Sequence, residues 1–446
     1  MSLSLALPHG APRLVANARV DAVPSASEVE TDGSRLLNAS ADDVLGLAGD
    51  ARVKEAANAA VKRLGVELSR SSTLVSQLET RLASRLKADS AAMVDSLATV
   101  VRALEQAEAR RFVDVRLSRR LGITGTLFSS PEQLATQLSI AGAEQRVVLV
   151  DGVRVYEGDL APLPRLVEIT QRNHVPLVVI DALGPGSLGA DGNGVLEHFE
   201  LAGQVDLSVS TLGPGAVAIA GVRAVVDAFL PFLPARVGTG STAAIVKRLE
   251  LIDAEGHRRS RALDLAESMQ EALRLRSFDT GPSVTPIIPI WLGDEGLTDM
   301  WLRQLAEQGV FCRGLLDGPR SRLLLSLPAT ATEAQQHQLI EALEKIEKKL
   351  GAPPPLDSEA PRTVTIARPG SFAIGTPCHP RWLPSMPESM GTNAPLNDGR
   401  SVRERIFDTV ETMTWRIASG QSGQLRRLPG ANTLRALVDR ARARKP

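Results

Sequence analysis

Short apolar runs alternate along the chain with stripes of helical period, and that alternation predicts most of its elements. Over Ala51–Leu64, the residues Val53, Ala57, Ala60, Val61 and Leu64 recur at three- and four-residue intervals, which puts them on one helical face. Leu74, Leu78, Leu82 and Leu86 repeat every four residues and predict a second helix over 73–86. Residues 147–150 and 177–180 are uninterrupted apolar runs, as strands buried on both faces require. Between them, 162–174 carries helical spacing, so the three segments read as a βαβ unit in a mostly parallel sheet. Further strands are expected at 205–209 and 217–220, followed by a largely helical stretch over 239–274.

After a turn at 279–282 the pattern changes scale. Strands are predicted at 286–291, 310–313 and 322–327, with a helix at 298–308. Thr332 and Gln335 have capping-box spacing, Leu339, Ile340, Leu343 and Ile346 form the stripe, and Gly351 and Pro353 stop the helix. The fold class is therefore α/β, with a large mostly parallel-sheet domain over 37–275 and a small C-terminal α/β domain over 276–351. Residues 1–36 mix Pro, Ala, Ser and acids without a period and read as an N-terminal arm. Ten prolines between 353 and 395 make 352–400 a linker. Residues 401–446 return to helical spacing with ten Arg or Lys against four acids. This tail reads as a solvated amphipathic face, or as contact with an acidic partner surface or RNA.

Composition narrows the classes. Basic and acidic residues balance at 51 each, which argues against nucleic acid or an anionic membrane as the main partner. Two cysteines exclude a disulfide framework and fit a reducing, cytoplasmic setting. No apolar run is long enough to predict a transmembrane segment. One imbalance matters more: only 8 of the 51 basic residues are lysine, and none lies between 88 and 246.

Candidate chemistry concentrates after the buried runs. Asp151-Gly-Val-Arg-Val-Tyr-Glu-Gly-Asp-Leu-Ala-Pro-Leu-Pro164 follows the first, and Asp181-Ala-Leu-Gly-Pro-Gly-Ser-Leu-Gly189 the second. Glycines at 184, 186, 189, 192 and 194 then permit tight turns and close ligand approach at the carboxyl edge of the sheet, where open α/β sheets bind ligands. Together with Asp42-Asp-Val-Leu-Gly-Leu47, Asp50-Ala-Arg-Val53, Glu197-His-Phe199, Ile287-Ile-Pro-Ile290 and Gly309-Val-Phe311, these segments resemble the α-oxoamine synthase family of fold-type I pyridoxal-phosphate enzymes. The likeness spans about residues 40–350.

The resemblance implies a pyridoxal-phosphate acyltransferase site, and this chain departs from it at each reacting position. The family's partner to the cofactor's pyridine nitrogen falls at Ile180, with Asp181 next to it, and the histidine on the phenolic oxygen falls at Leu183. In the segment that begins at Thr211, the imine-forming lysine falls at Pro214. The ring-stacking histidine expected after Asp114 is missing, and the phosphate loop aligns with Asp95-Ser-Leu-Ala-Thr-Val100, which lacks the glycine. The carboxylate-binding arginine falls at Leu324, with Arg322 nearby. An imine needs a lysine amine, which arginine cannot replace because it stays protonated.

The resemblance thus implies a catalytically degenerate homologue with no catalytic residue. No cofactor is expected, pyridoxal phosphate entering only if it binds without a covalent link. Because the family forms dimers with sites at the interface, the expected partner is a second copy or a lysine-containing homologue, in which case the chain would be a non-catalytic or regulatory subunit. The alternative is a repurposed cleft with imine-independent chemistry. The cluster Thr239, Ser241 and Thr242, opening a helix, reads as a remnant phosphate site or as a plain N-cap. His198 and Cys312 read as structural, Cys378-His379 offers no metal site without a second cluster, and Tyr156 is the only tyrosine.

Overall fold

The computed structural model describes residues 12–107, 109–142, 145–213 and 216–353. Its large sheet has seven strands in the spatial order Ser90–Val94, Ala216–Gly221, Leu207–Gly213, Leu177–Asp181, Arg146–Asp151, Arg110–Asp114 and Thr126–Phe128. The last five run parallel, and Ala216–Gly221 is antiparallel to both its neighbours. The two apolar runs that predicted the βαβ unit lie side by side, Val179 opposite Val150 and Ile180 opposite Asp151.

Successive strand residues face opposite sides, and both sides are covered. Phe112, Val148, Val150 and Val179 pack under helices Pro131–Ile140 and Leu163–Arg172. Val113, Leu149, Val178 and Ile180 pack under Leu97–Gln106, Val115–Leu121 and Arg223–Phe229. This is why those strands read as continuous apolar runs rather than as alternation.

The smaller sheet is antiparallel, in the order Arg13–Ala16, Arg313–Leu316, Arg322–Leu325 and Ile288–Trp291. Helices Gly256–Arg274, Glu295–Glu307 and Glu333–Leu350 share a core with it, centred on Trp301. The capping box at Thr332 and Gln335 is present, each side chain bonding the other's backbone. The expected strand at 310–313 is two strands in two sheets, with buried Cys312 between them. The stretch 239–274 is two helices, Thr239–Ala254 and Gly256–Arg274, broken at Glu255.

The N-terminal segment read as an arm instead holds strands at Arg13–Ala16, Ala22–Ser25, Glu28–Thr31 and Ser34–Asn38. Its first strand pairs with Arg313–Leu316 and its last with Val310–Phe311. Strands of four or five residues, two of them paired with partners near the far end of the described chain, leave no local period to read. Residues 1–11, nearly all of the linker at 352–400 and the tail at 401–446 lie outside the described residues. Among the described residues, no helix is long and apolar enough to cross a membrane.

Candidate active-site cleft

A cleft of about 510 Å³ opens at the carboxyl ends of the parallel strands. The sheet side contributes Asp95, Ser96, Ala182, Leu183, and Ser210 to Gly213. Helix Thr239–Ala254 supplies Ile245, Arg248, Leu249 and Ile252, and the segment 40–45 supplies Asp42 and Asp43. The smaller sheet closes the far side with Leu14, Arg313 and Leu324.

Of the expected site residues, the structure brings Leu183, Thr211, Leu324, Tyr156 and the Asp95–Leu97 end of the phosphate-loop segment to this cleft, and leaves Ile180, Asp181, Thr239, Ser241, Thr242 and Arg322 outside it. Ile180 is wholly buried among the sheet's apolar side chains. Asp181 faces the following loop. Its two oxygens accept the backbone N–H groups of Gly184 and Val195, each at 2.7 Å, and only 2% of the residue is exposed. Burial pushes this carboxyl up to about 6, opposed by those two N–H bonds.

The glycine-rich loop is therefore built around a carboxylate. A Cβ at Gly184 or at Gly194 (φ +95°) would collide with the Asp181 side chain. Glu197 pins the same loop by accepting from the backbone N–H groups of Asp191 and Asn193 at 3.2 and 2.9 Å, and from the Asn193 amide at 3.0 Å. Only Gly186 and Gly192 of the five glycines line the cleft. His198 is buried edge-on against Phe199, and desolvation lowers its pKa to about 4.

Thr239, Ser241 and Thr242 stand away from the cleft. Thr239 is fully buried, and the Ser241 and Thr242 hydroxyls donate to the carbonyl of Gly238 at 2.9 and 2.8 Å, a local helix-start arrangement. Arg322 also lies outside. Its guanidinium stacks on Trp291, 3.7 Å from the ring centroid, with Glu157 at 3.4 Å and Asp317 at 3.9 Å. Pro214 and Cys378-His379 fall outside the described residues. Among the described residues, no group of His, Cys, Asp and Glu could hold a metal ion.

Four arginines that line the cleft went unnoticed in the sequence; Arg85 is paired with Asp253 and Arg313 with Asp42, and the other two bear on the site's chemistry. Arg120 forms a two-bond pair with buried Asp151, at 2.8 and 2.7 Å, and Asp151 is still pushed up to about 6 by burial. Arg248 donates through Nη2 to Asp43 at 3.1 Å, while its Nε and Nη1 are buried without a hydrogen-bond partner. Its guanidinium carbon lies 3.7 Å from where a Cβ on Gly213 would stand, one residue before the position expected to carry lysine.

No protein-family model matches the chain. Over 355 residues it is 30% identical to an 8-amino-7-oxononanoate synthase of Pseudomonas putida, covering 72% of this chain and 90% of that protein. It is 29% identical over 361 residues to the enzyme of the same name from Thermosipho melanesiensis, covering 74% and 92%. A solved serine palmitoyltransferase from S. paucimobilis with a bound PLP–myriocin aldimine superposes with a TM-score of 0.69 at 18% identity, over 75% of this chain and 92% of that one. The expectation that no cofactor is involved does not survive these matches: this neighbour holds PLP, and likeness to these relatives implies pyridoxal phosphate.

The residues of this cleft do not fit the group in a covalently attached form. Neither lysine nor histidine is among the described residues that line it, and Asp95 places a carboxylate where the helix Leu97–Gln106 begins. An acid there repels a phosphate that the helix N-terminus would otherwise attract.

Proposed function

Starting from the chain's membership of the α-oxoamine synthase family of pyridoxal-phosphate-dependent acyltransferases, we propose that it is a catalytically degenerate member that acts in the cytoplasm as a non-catalytic or regulatory subunit. One observation carries the reading: the described cleft lining holds no lysine. The sequence adds that none occurs between 88 and 246. When bound in a family site, pyridoxal phosphate supplies an electron sink for a carbanion next to an amino group. Here Ile180 gives the ring nitrogen no charged partner, and Leu183 gives the ring oxygen no donor. Arg120 is tied to Asp151, and Asp181 to its loop, so neither is available to move a proton at a bound substrate.

What the chain keeps is the frame. The Asp181 loop, the Glu197 staple and the paired strands hold that frame together, and the partner of this reading is a second copy or a lysine-containing homologue. The test is chemical. The full-length protein, incubated with pyridoxal phosphate and reduced with borohydride, should carry no modified lysine by peptide mass spectrometry, and it should show no acyltransferase activity until a lysine-containing homologue is added. A stoichiometric adduct on one lysine, or activity of the chain alone, overturns the reading. The unpaired guanidinium of Arg248 favours a second reading, in which the cleft serves a different ligand.

A further inference from the structure

Arginines in this protein are matched to acids with some regularity, and Arg248 breaks the pattern inside the cleft. Arg258 reaches Glu255 at 2.7 Å and Asp50 at 3.1 Å. Arg154 reaches Asp159 at 2.6 Å and Asp114 at 3.8 Å, and Arg322 has Glu157 and Asp317. Arg248 has one acid, Asp43, through one nitrogen. Its side chain is only 14% exposed, and three N–H bonds, one on Nε and two on Nη1, find no acceptor. Buried donors left unpaired cost about 1–3 kcal/mol, more on a charged group. Arg154 and Arg322 also leave Nε unpaired, but neither lines the cleft.

The geometry points to a ligand oxygen as the missing acceptor, and we propose that the cleft binds a small apolar carboxylic acid, its carboxylate on Arg248 and its hydrocarbon body along the cleft wall. The donor set fixes the first half. A guanidinium with free N–H bonds takes only an acceptor, and an anion best. The wall fixes the second, since Leu86, Leu97, Leu183, Leu212, Leu249 and Leu324 line the same space, and a cavity of this size with few polar groups suits a small, largely apolar molecule. Asp42 is paired with Arg313 and Asp43 with Arg248, so what remains for a ligand at this point is the one set of unpaired donors on Nε and Nη1, which the two oxygens of a single carboxylate satisfy. Asp43 itself is held by the backbone N–H of Ala48, which fixes the guanidinium it pairs with.

The proposal rests on a cleft not committed to a covalently held cofactor, and its readout is separate from the borohydride test. Decanoate is the probe, titrated calorimetrically into the full-length protein, with decanol as the uncharged control and inorganic phosphate as competitor. Decanoate should bind at least about tenfold more tightly than decanol, the difference a charged hydrogen bond supplies. Arg248→Met should weaken decanoate about tenfold or more and leave decanol unchanged. Arg248→Lys, which keeps the charge and the Asp43 pair, should fall between the two and guards against a misfolded Met variant. Absence of decanoate binding, equal affinity for decanol, an unchanged Arg248→Met, or displacement by phosphate at comparable concentration each overturns the proposal. A lysine trapped by borohydride in a protein that still binds decanoate through Arg248 would sink the degenerate reading alone.

Discussion

The loop closed by Asp181 and the wall formed by Gly213 and Arg248 meet at the carboxyl edge of one sheet, which Arg248 reaches from helix Thr239–Ala254, and their polar groups are treated in opposite ways. Asp181 is a buried carboxylate with both oxygens used, in a loop whose glycines leave room for it. Arg248 is a buried guanidinium with two nitrogens unused. A buried polar group that is fully paired contributes to holding one conformation, whereas one left half-paired costs stability and is kept for some other reason. The contrast separates the inherited frame from the surface that meets a ligand.

The largest expected effect tests the frame. Asp181→Ala leaves two buried backbone N–H groups without acceptors, at Gly184 and Val195, and should lower the unfolding free energy by about 4 kcal/mol in urea denaturation. Asp181→Asn, which keeps one acceptor, should lose less. Equal stability of wild type and Asp181→Ala would remove the distinction drawn between loop and wall.

Next in size is a pH effect at His198, in the helical turn that follows the same loop. Its pKa is about 4 in the fold against an ordinary value of 6.5, because burial disfavours the cation. The unfolded chain therefore binds the extra proton first as pH falls. Stability from this group is fully present above about 6.5 and is lost towards 4, up to about 3 kcal/mol. Asp151 and Asp181 act in the other direction, since burial raises both to about 6 and protonation of the fold is favoured as pH falls from 6 towards 4. Comparing wild type with His198→Gln cancels that opposing contribution. The variant should lose less stability than wild type between pH 6.5 and 4.5, and parallel curves would show that His198 does not carry the acid sensitivity.

How much of this was legible in the sequence divides along the same line. The runs at 147–150 and 177–180 announced buried parallel strands because both faces of the sheet are covered, and Thr332 with Gln335 announced a helix start through chemistry local to four residues. The short N-terminal strands were hidden because two of them are completed from residues 310–316. The glycines after Asp181 were visible, but their reason was not: most make room for Asp181 and Glu197 rather than for a ligand. Thr239, Ser241 and Thr242 read either as a plain helix start or as an anion cradle, and the structure uses two of their hydroxyls on the Gly238 carbonyl at the helix start. Arg248 gave no signal, because beside Lys247 on a helix it reads as one more solvated base. Its position became meaningful only when Asp43, some 200 residues earlier, was seen to engage one nitrogen and leave two.

The smallest expected effect tests the wall. Arg248→Lys keeps a cation within reach of Asp43 and removes the donors that find no acceptor, so the lost guanidinium contacts and the relieved desolvation offset each other. Its unfolding free energy should stay within about 1 kcal/mol of wild type in the same urea titration, a small change for so buried a side chain. Added decanoate should raise the melting temperature of wild type more than that of the variant, because a ligand stabilises only the state that binds it. A loss approaching that of Asp181→Ala would make Arg248 part of the frame, since a structural arginine is missed whether or not a ligand is present.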